Sequence, residues 1–365
     1  MKVLFAGGGT MGSVSPLVAV HEELKIKDSA LESLWLGTKK GPEKDFLAFY
    51  QMPFKPIIGG KLRQYFSLAN FFTPFWVFLG FIQSLFILRK FKPDAVLTAG
   101  SFIAVPVIYA AWFLRIPRFV HQQDIEIGLA NKLMAKKATA ITVVLRDSLG
   151  KFDFRKTFHI SNPVRKAVFS GDREKAIDFF KLNPRLRTIL IMGGGTGAQT
   201  INQIILETAG KLTENYQVIH LAGIGKMIDQ QFNNYYDRAT LKRIEERYRG
   251  YEFLNQEIFN AYALADLVVC RAGFSTLTEL AVLAKAALLI PIPGHQELNA
   301  QYFNKYNSVK VIKQDQLNSE NFLKAILYLM DNTAELQNIS RNISQMIDKD
   351  AAKRYVGLIY EILGK

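Results

Sequence analysis

Short apolar runs alternate with longer stretches in which apolar positions recur at helical spacing, and this alternation persists along the whole chain. The runs at 3–6, 33–36, 95–98, 118–121 and 140–144 predict one series of strands. Those at 188–192, 217–221, 251–254, 267–270 and 287–291 predict a second. Strands separated by helix-length segments argue for βα units and parallel sheets. Two of the apolar runs end in glycine: Ala6-Gly7-Gly8-Gly9-Thr10-Met11-Gly12 and Met192-Gly193-Gly194-Gly195-Thr196-Gly197. A strand, a glycine turn and a helix present backbone N–H groups and a helix N-terminus to a phosphate. Two such units half a chain apart predict an α/β protein of two Rossmann-like domains facing one another across a cleft.

The join is expected within 162–187, where Asn162-Pro163 and Asn183-Pro184 favour turns. The expected domains are 1–162 and 163–345, followed by a C-terminal segment, 346–365, whose helix is free to pack back on the first domain. A chain of 365 residues suits two cores better than one.

One stretch breaks the pattern. From Phe71 to Leu88 there is no charge, and Phe71, Phe72, Phe75, Trp76, Phe78, Phe81 and Phe86 cannot all face one side of a helix. The stretch is short for a membrane span, which needs about 20 apolar residues, and it closes on Arg89, Lys90 and Lys92. The expected arrangement is a helix packed on the sheet by one side, with the other dipping into lipid headgroups. Phe71, Phe72, Phe75, Trp76, Phe78 and Leu79, with Arg89 and Lys90, are the candidate membrane contacts. A protein–protein patch is the competing reading.

Charge sharpens that picture. The formal net charge is +14. Residues 1–162 hold 21 Lys+Arg against 11 Asp+Glu, a net of +10, and the remainder 25 against 21, a net of +4. The excess in the first half favours an anionic partner such as a membrane surface or a pyrophosphate. No nucleic-acid recognition motif accompanies it, so no nucleic acid is expected as a partner. Hydrophobic residues make up 49% of the chain, as in a globular protein. The single cysteine, Cys270, excludes an intrachain disulfide. No signal peptide is legible before the first glycine turn, so a cytosolic protein is expected.

The candidate chemistry lies in the turns. Gly7 to Gly12 meets the spacing of a dinucleotide fingerprint, but the next strand is followed by Gly37-Thr38-Lys39 rather than an acid, which argues against a dinucleotide. A triphosphate-binding Gly-x-x-x-x-Gly-Lys-Ser/Thr loop is absent. In the second half, Gly273, Phe274 and Ser275 follow a strand and open a helix carrying Glu279. Such a turn can hold a sugar nucleotide, with N–H groups on phosphate and the carboxylate on ribose.

Taken in order, these segments resemble the MurG family, peptidoglycan N-acetylglucosaminyltransferases with the GT-B fold. The likeness rests on Gly8-Gly9-Thr10-x-Gly12, Trp35-Leu36-Gly37-Thr38, His121-Gln122-Gln123-Asp124 with Gly128 and Asn131, and Asn162-Pro163-Val164-Arg165. It continues with Gly193-Gly194-x-x-Gly197-Ala198, Cys270-Arg271-x-Gly273 with Glu279, and His295-Gln296 with Asn299. The resemblance implies inverting transfer of N-acetylglucosamine from UDP-GlcNAc to the C4 hydroxyl of undecaprenyl-pyrophosphoryl-MurNAc-pentapeptide. No metal or other cofactor is implied. On the donor side it implies uracil near Phe253 and Leu254, ribose on Glu279, and diphosphate near Arg165, Gly193, Gly194 and Gly195. Gly273, Phe274 and Ser275 line the same site, with the sugar near His295 and Gln296. On the acceptor side it implies the loops 8–13 (Gly8, Gly9, Thr10, Met11, Gly12, Ser13) and 100–106 (Gly100, Ser101, Phe102), together with Asp124. It also implies a peripheral position on the cytoplasmic face of the membrane, among cell-wall synthesis partners.

The chain departs from the family pattern where the base is expected. The family's first loop reads Gly-Gly-Thr-Gly-Gly-His; here Met11 replaces a glycine and Ser13 the histidine. A hydroxyl is a poor proton acceptor near neutral pH. Gln122 and Asp124 stand for Glu and Asn, Gly195 and Thr196 for Ser and Gln, and Gly294 for Asp. Asp124 is therefore the first candidate base and His121 the second, although a strand-end histidine is commonly just a hydrogen-bonded core residue. Two alternatives remain open here: transfer to another lipid acceptor such as diacylglycerol, and a low-activity or inactive membrane-bound paralogue.

Overall fold

A computed structural model describes residues 1–60, 73–193 and 198–365. The first half contains strands β1 (Lys2–Ala6), β2 (Glu32–Gly37), β3 (Phe54–Pro56), β4 (Ala95–Thr98), β5 (Arg118–Gln122), β6 (Ala140–Val143) and β7 (Thr157–His159). Its helices are α1 (Ser15–Lys27), α2 (Glu43–Phe49), α3 (Thr73–Phe91), α4 (Ala104–Phe113) and α5 (Leu129–Ala135). The second half contains β8 (Thr188–Met192), β9 (Gln217–Leu221), β10 (Tyr248–Tyr251), β11 (Leu267–Cys270), β12 (Ala287–Leu289) and β13 (Lys310–Val311). Its helices are α6 (Arg173–Phe180), α7 (Gln199–Leu212), α8 (Arg238–Arg247), α9 (Glu257–Leu264), α10 (Phe274–Val282), α11 (His295–Lys305), α12 (Ser319–Asp331), α13 (Thr333–Ser344) and α14 (Ala351–Leu363).

The chain forms two compact units, Met1–Arg165 with Lys349–Lys365, and Lys166–Asp348. The sheet of the first runs β3-β2-β1-β4-β5-β6-β7 and that of the second β10-β9-β8-β11-β12-β13, each paired in parallel throughout. In the first unit, alternate residues of each strand feed two apolar layers. Leu4, Leu36, Val96 and Val120 pack with Val107 and Ile108 of α4. Val3, Phe5, Trp35, Leu97 and Phe119 pack with Leu17 and Val20 of α1 and with Tyr355 and Ile359 of α14. The last helix thus completes the core of the first unit. In the second unit, Ile189 and Ile191 of β8 join Ile201 and Ile205 of α7 and Phe322 and Ile326 of α12.

Three strands escape sequence reading: β3, β7 and β13 are only two or three residues long and none of their residues is buried. The strand expected at 251–254 lies earlier, at β10. Its interior carries Arg249 and Gly250, which read as loop. The Asp229 carboxylate packs against the bare backbone at Gly250, where a Cβ would stand 2.6 Å from Oδ1.

Candidate functional site

In each sheet the strand order reverses once, between β1 and β4 and between β8 and β11. Ligands of open α/β sheets bind at the carboxyl ends of strands beside that reversal. The glycine turns found in the sequence follow β1 and β8, on those edges.

In the first unit, residues 7–13 leave β1, close a short 3-10 turn over Met11–Ser13, and enter α1. Gly9 takes φ +82°, a conformation that favours glycine. Neighbouring loops hold this turn by its backbone. Ser101 Oγ donates to Gly8 O at 2.7 Å and Gln123 Nε2 to Gly12 O at 2.8 Å. Ser101 itself takes φ +85° directly after Gly100 at +108°, so the loop after β4 is bent to reach the first. The Ser13 side chain is buried, with Oγ directed at Thr10 O at 3.4 Å. It is occupied as a donor. Gly8, Gly9, Thr10, Met11, Gly12, Gly100 and Ser101 therefore share one end of the sheet. Phe102 packs into the apolar layer beneath α4 rather than standing free.

His121 does not act as a free base in this geometry. It is fully buried; Thr142 Oγ1 lies 2.7 Å from Nδ1 and Asn162 Oδ1 accepts from Nε2–H at 2.9 Å. Burial pulls its pKa down to about 4, and its ring packs 5.6 Å from that of Tyr355. The residue ties β5, β6 and Asn162 together beneath α14. Asp124, by contrast, is half-buried in the loop after β5. Gln122 Nε2 donates to the backbone carbonyls of Asp124, at 2.7 Å, and Glu126, at 3.2 Å, and Asn131 Nδ2 donates to Gln122 Oε1 at 2.6 Å. The two residues that depart from the family pattern here thus act together, Gln122 shaping the loop that presents Asp124.

In the second unit, β8 and β11 are neighbours with Met192 opposite Cys270, so the carboxyl ends of the two strands lie side by side. Gly193 closes β8; Gly194 and Gly195 lie outside the described residues. Gly273 caps α10, and Phe274 is buried against Phe303. The Ser275 hydroxyl, one residue into the helix, is buried and has no hydrogen-bond partner among the described residues. A buried orphan hydroxyl at a helix start, where backbone N–H groups also lack intrahelical partners, leaves hydrogen-bonding capacity unused. Glu279 lies one turn further, its Oε2 accepting from the buried Tyr262 hydroxyl at 3.2 Å. Gln296 Oε1 accepts from Ile292 N–H at 3.1 Å, which shapes the turn before α11, while His295 is exposed at that helix start. Leu254 is buried and Phe253 exposed, both beyond the end of β10.

Arg165 lies where the two units meet in the sequence. It is the last residue of the first unit. Its guanidinium lies 5.1 Å from the Phe46 ring centroid, and Nη1 donates to Tyr50 Oη at 3.3 Å. It is seated on α2. Sequence reading gave no role to Gln123, Tyr262 or Glu43. Each holds a loop or another residue's carboxylate, which no motif spacing reveals.

On α3, Gly80, Ser84, Leu85 and Leu88 are buried. Gly80 is needed because a Cβ would meet Ile58 O at 2.1 Å. Phe75, Trp76 and Phe78 are exposed, as are Arg89 and Lys90, and Leu79 is half-buried. Phe71 and Phe72 lie outside the described residues. By length and composition α3 is apolar enough to cross a membrane; its buried stripe packs against α4 instead.

Residues 3–143 match the glycosyltransferase family 28 N-terminal domain, and residues 188–355 the C-terminal domain of the same family. The chain belongs to the MurG family. It is 33% identical, over 99% of each chain, to the UDP-N-acetylglucosamine--N-acetylmuramyl-(pentapeptide) pyrophosphoryl-undecaprenol N-acetylglucosamine transferase of Lachnoclostridium phytofermentans. The enzyme of the same name from Clostridium perfringens is 34% identical, over 95% of this chain and 97% of its own. Among solved structures, Acinetobacter baumannii MurG superimposes with a TM-score of 0.74 at 23% identity, covering 99% of each chain. The UDP-GlcNAc 2-epimerase of Neisseria meningitidis, solved with UDP-GlcNAc bound, gives 0.73 at 16%, covering 99% of this chain and all of its own. The fold class is therefore GT-B, and this MurG-family chain is a glycosyltransferase.

Proposed function

We propose that this chain transfers N-acetylglucosamine from UDP-GlcNAc to the C4 hydroxyl of undecaprenyl-pyrophosphoryl-MurNAc-pentapeptide, the step from lipid I to lipid II. The observation that carries this is the one-third identity, across the full chain, to transferases named for that reaction. The geometry agrees with it on the donor side, where Gly193, Gly273, Ser275 and Glu279 stand at one reversal point.

The chemistry is a single inverting displacement. The acceptor hydroxyl attacks the anomeric carbon, its proton passes to a base, and UDP departs. Glu279, steadied by Tyr262, takes the ribose hydroxyls, and the start of α10 with Ser275 supplies donors to the nucleotide. N–H dipoles aimed at the departing diphosphate stabilise charge where it develops. Asp124 is the base: a half-buried carboxylate in a loop fixed by Gln122. Its alternative, His121, has both ring nitrogens occupied. The acceptor diphosphate is held by the turn after β1 and the loop after β4. The exposed aromatic face of α3, ending in Arg89 and Lys90, supports a peripheral seat on an anionic membrane, on its cytoplasmic side where UDP-GlcNAc is supplied.

Release of UDP in the presence of UDP-GlcNAc and a lipid I analogue tests this reading. Release that requires the acceptor is expected. Release independent of it, or none, refutes the transfer.

A further inference from the structure

The glycine-rich turn after β1 encloses a charged group of the protein's own. Glu43, the first residue of α2, is completely buried. Its Oε1 accepts from Thr38 N–H at 2.6 Å and from Thr38 Oγ1–H at 2.5 Å, and its Oε2 accepts from Gly9 N–H at 3.0 Å. Three glycines make room for it. A Cβ would stand 2.1 Å from Oε1 at Gly8, 2.0 Å from Oε2 at Gly41 and 3.1 Å from Oε1 at Gly37. Those glycines come from three places: the turn after β1, the end of β2, and the loop into α2.

Two features that read as a phosphate cradle in the sequence therefore serve an internal anion. The Gly9 N–H faces Glu43, and Gly8 lacks a side chain because the carboxylate passes beneath it. What remains to meet an acceptor is the far side of the turn, from Thr10 to Ser13. The Gly8 peptide between is also gripped from the β4 side, where Ser101 Oγ donates to Gly8 O at 2.7 Å from a left-handed backbone. A non-glycine residue in that conformation is costly and persists where the surroundings impose it. The turn is thus clamped by an acceptor on one side and a donor on the other, bonded to the N–H and the C=O of the one Gly8–Gly9 peptide group.

We propose that Glu43 is a positioning residue for the acceptor step: by fixing the Gly8–Gly9 peptide through the Gly9 N–H, it sets the orientation in which Thr10 to Ser13 meet the acceptor diphosphate. This rests on the lipid-pyrophosphate acceptor proposed above. Glutamine is nearly isosteric at this site, but its amide cannot accept with both terminal atoms. One of the two sides, Thr38 or Gly9, would then face a donor, and the turn would lose its fixed orientation.

The test uses the full chain, a soluble lipid I analogue and UDP-GlcNAc, each varied with the other saturating, with UDP release as readout. Glu43→Gln is expected to raise the acceptor KM at least tenfold and leave the UDP-GlcNAc KM within twofold of wild type. A merely structural role would lower the amount of active enzyme and with it kcat, leaving both KM values in place; that outcome, or an unmoved acceptor KM, overturns the inference. If Glu43→Gln does not yield folded protein, Thr38→Val removes one of the three donors and keeps the carboxylate. It is expected to raise the acceptor KM about threefold with the donor KM unmoved, and an unchanged acceptor KM again overturns the inference. Wild-type turnover with an unmoved variant KM overturns this inference alone, whereas absence of acceptor-dependent release from the wild-type chain overturns it together with the proposed function.

Discussion

Replacing Phe75, Trp76 and Phe78 of α3 with serine should release the protein from membranes. The relative exposures of these side chains are 56%, 45% and 59%. A fully buried aromatic removes about 150–250 Å² from water, so roughly 100 Å² of each ring is available to a bilayer, about 300 Å² together. At about 25 cal/mol per Å² that is ~7 kcal/mol if every exposed atom left water. An interfacial helix sinks only to the headgroup and upper acyl region, so about half is a fair expectation. Three to four kcal/mol corresponds to more than a hundredfold change in partitioning, on the order of tenfold per 1.4 kcal/mol. Arg89 and Lys90 add about 1 kcal/mol each on an anionic surface and nothing on a neutral one. Sedimentation with vesicles separates the two contributions: the triple variant should lose binding to neutral and anionic vesicles alike, and Arg89→Glu with Lys90→Glu to anionic vesicles only. UDP affinity, read by calorimetry, should be unchanged in both and serves as the folding control. Sedimentation of the triple variant equal to wild type would refute the argument and return this face to a protein partner.

Three further outcomes are expected. Glu279→Ala should weaken UDP-GlcNAc binding by calorimetry about tenfold or more, and Tyr262→Phe, which removes only the hydroxyl that steadies it, by a smaller factor; equal affinity in both would remove Glu279 from the ribose. Asp124→Asn should lower kcat about a hundredfold or more, the usual range for a general base, with the UDP-GlcNAc KM unchanged; a kcat within a few-fold of wild type would exclude Asp124. Burial holds His21 and His121 down to about 4 and His220 to about 3, so each stays neutral in the fold while the unfolded chain takes up a proton near 6.5. Their contribution to stability is complete above about pH 6.5 and is lost as pH falls toward 4, by up to about 1.4 kcal/mol per pH unit for each; denaturation midpoints that stay flat from pH 6.5 to 4.5 would contradict this.

The parts of the fold that carry strong apolar runs were legible from sequence, and the parts set by tertiary accommodation were not. Strands β4, β8 and β11 have continuous apolar or Thr-bearing runs buried on both faces, and their limits follow from the pattern. β10 was misplaced because its interior holds Gly250, which sequence reads as a turn and against which Asp229 packs. On the proposed donor side, Gly273 and Glu279 could be linked from the sequence because one caps and the other lies in a single helix at fixed spacing. Tyr262 could not, since it reaches Glu279 from α9. In the first turn Gly8 also makes room for Glu43, a role that only the packed structure assigns.

The departures at Ser13 and Asp124 are connected by that packing. A histidine at position 13 would place its ring where the Ser13 side chain now lies buried, with Oγ directed at Thr10 O. The same turn receives Gln123 at Gly12 O, and Gln123 is the residue immediately before Asp124. A single segment, Gln122-Gln123-Asp124, therefore bonds its own loop through Gln122, bonds the first turn through Gln123, and offers a carboxylate through Asp124. Losing the imidazole from the first turn does not empty this end of the sheet of proton acceptors, because the segment that braces the turn carries Asp124, the base proposed above. Transfer of the base from one loop to its neighbour needs both loops to keep a fixed distance, and the Gln123 bridge supplies that constraint. Gln123→Ala should then lower kcat along with Asp124→Asn, and the double variant should fall little below Asp124→Asn alone, because a bridge with no base to place has little left to contribute. Full additivity of the two losses would separate Gln123 from the base and break the connection.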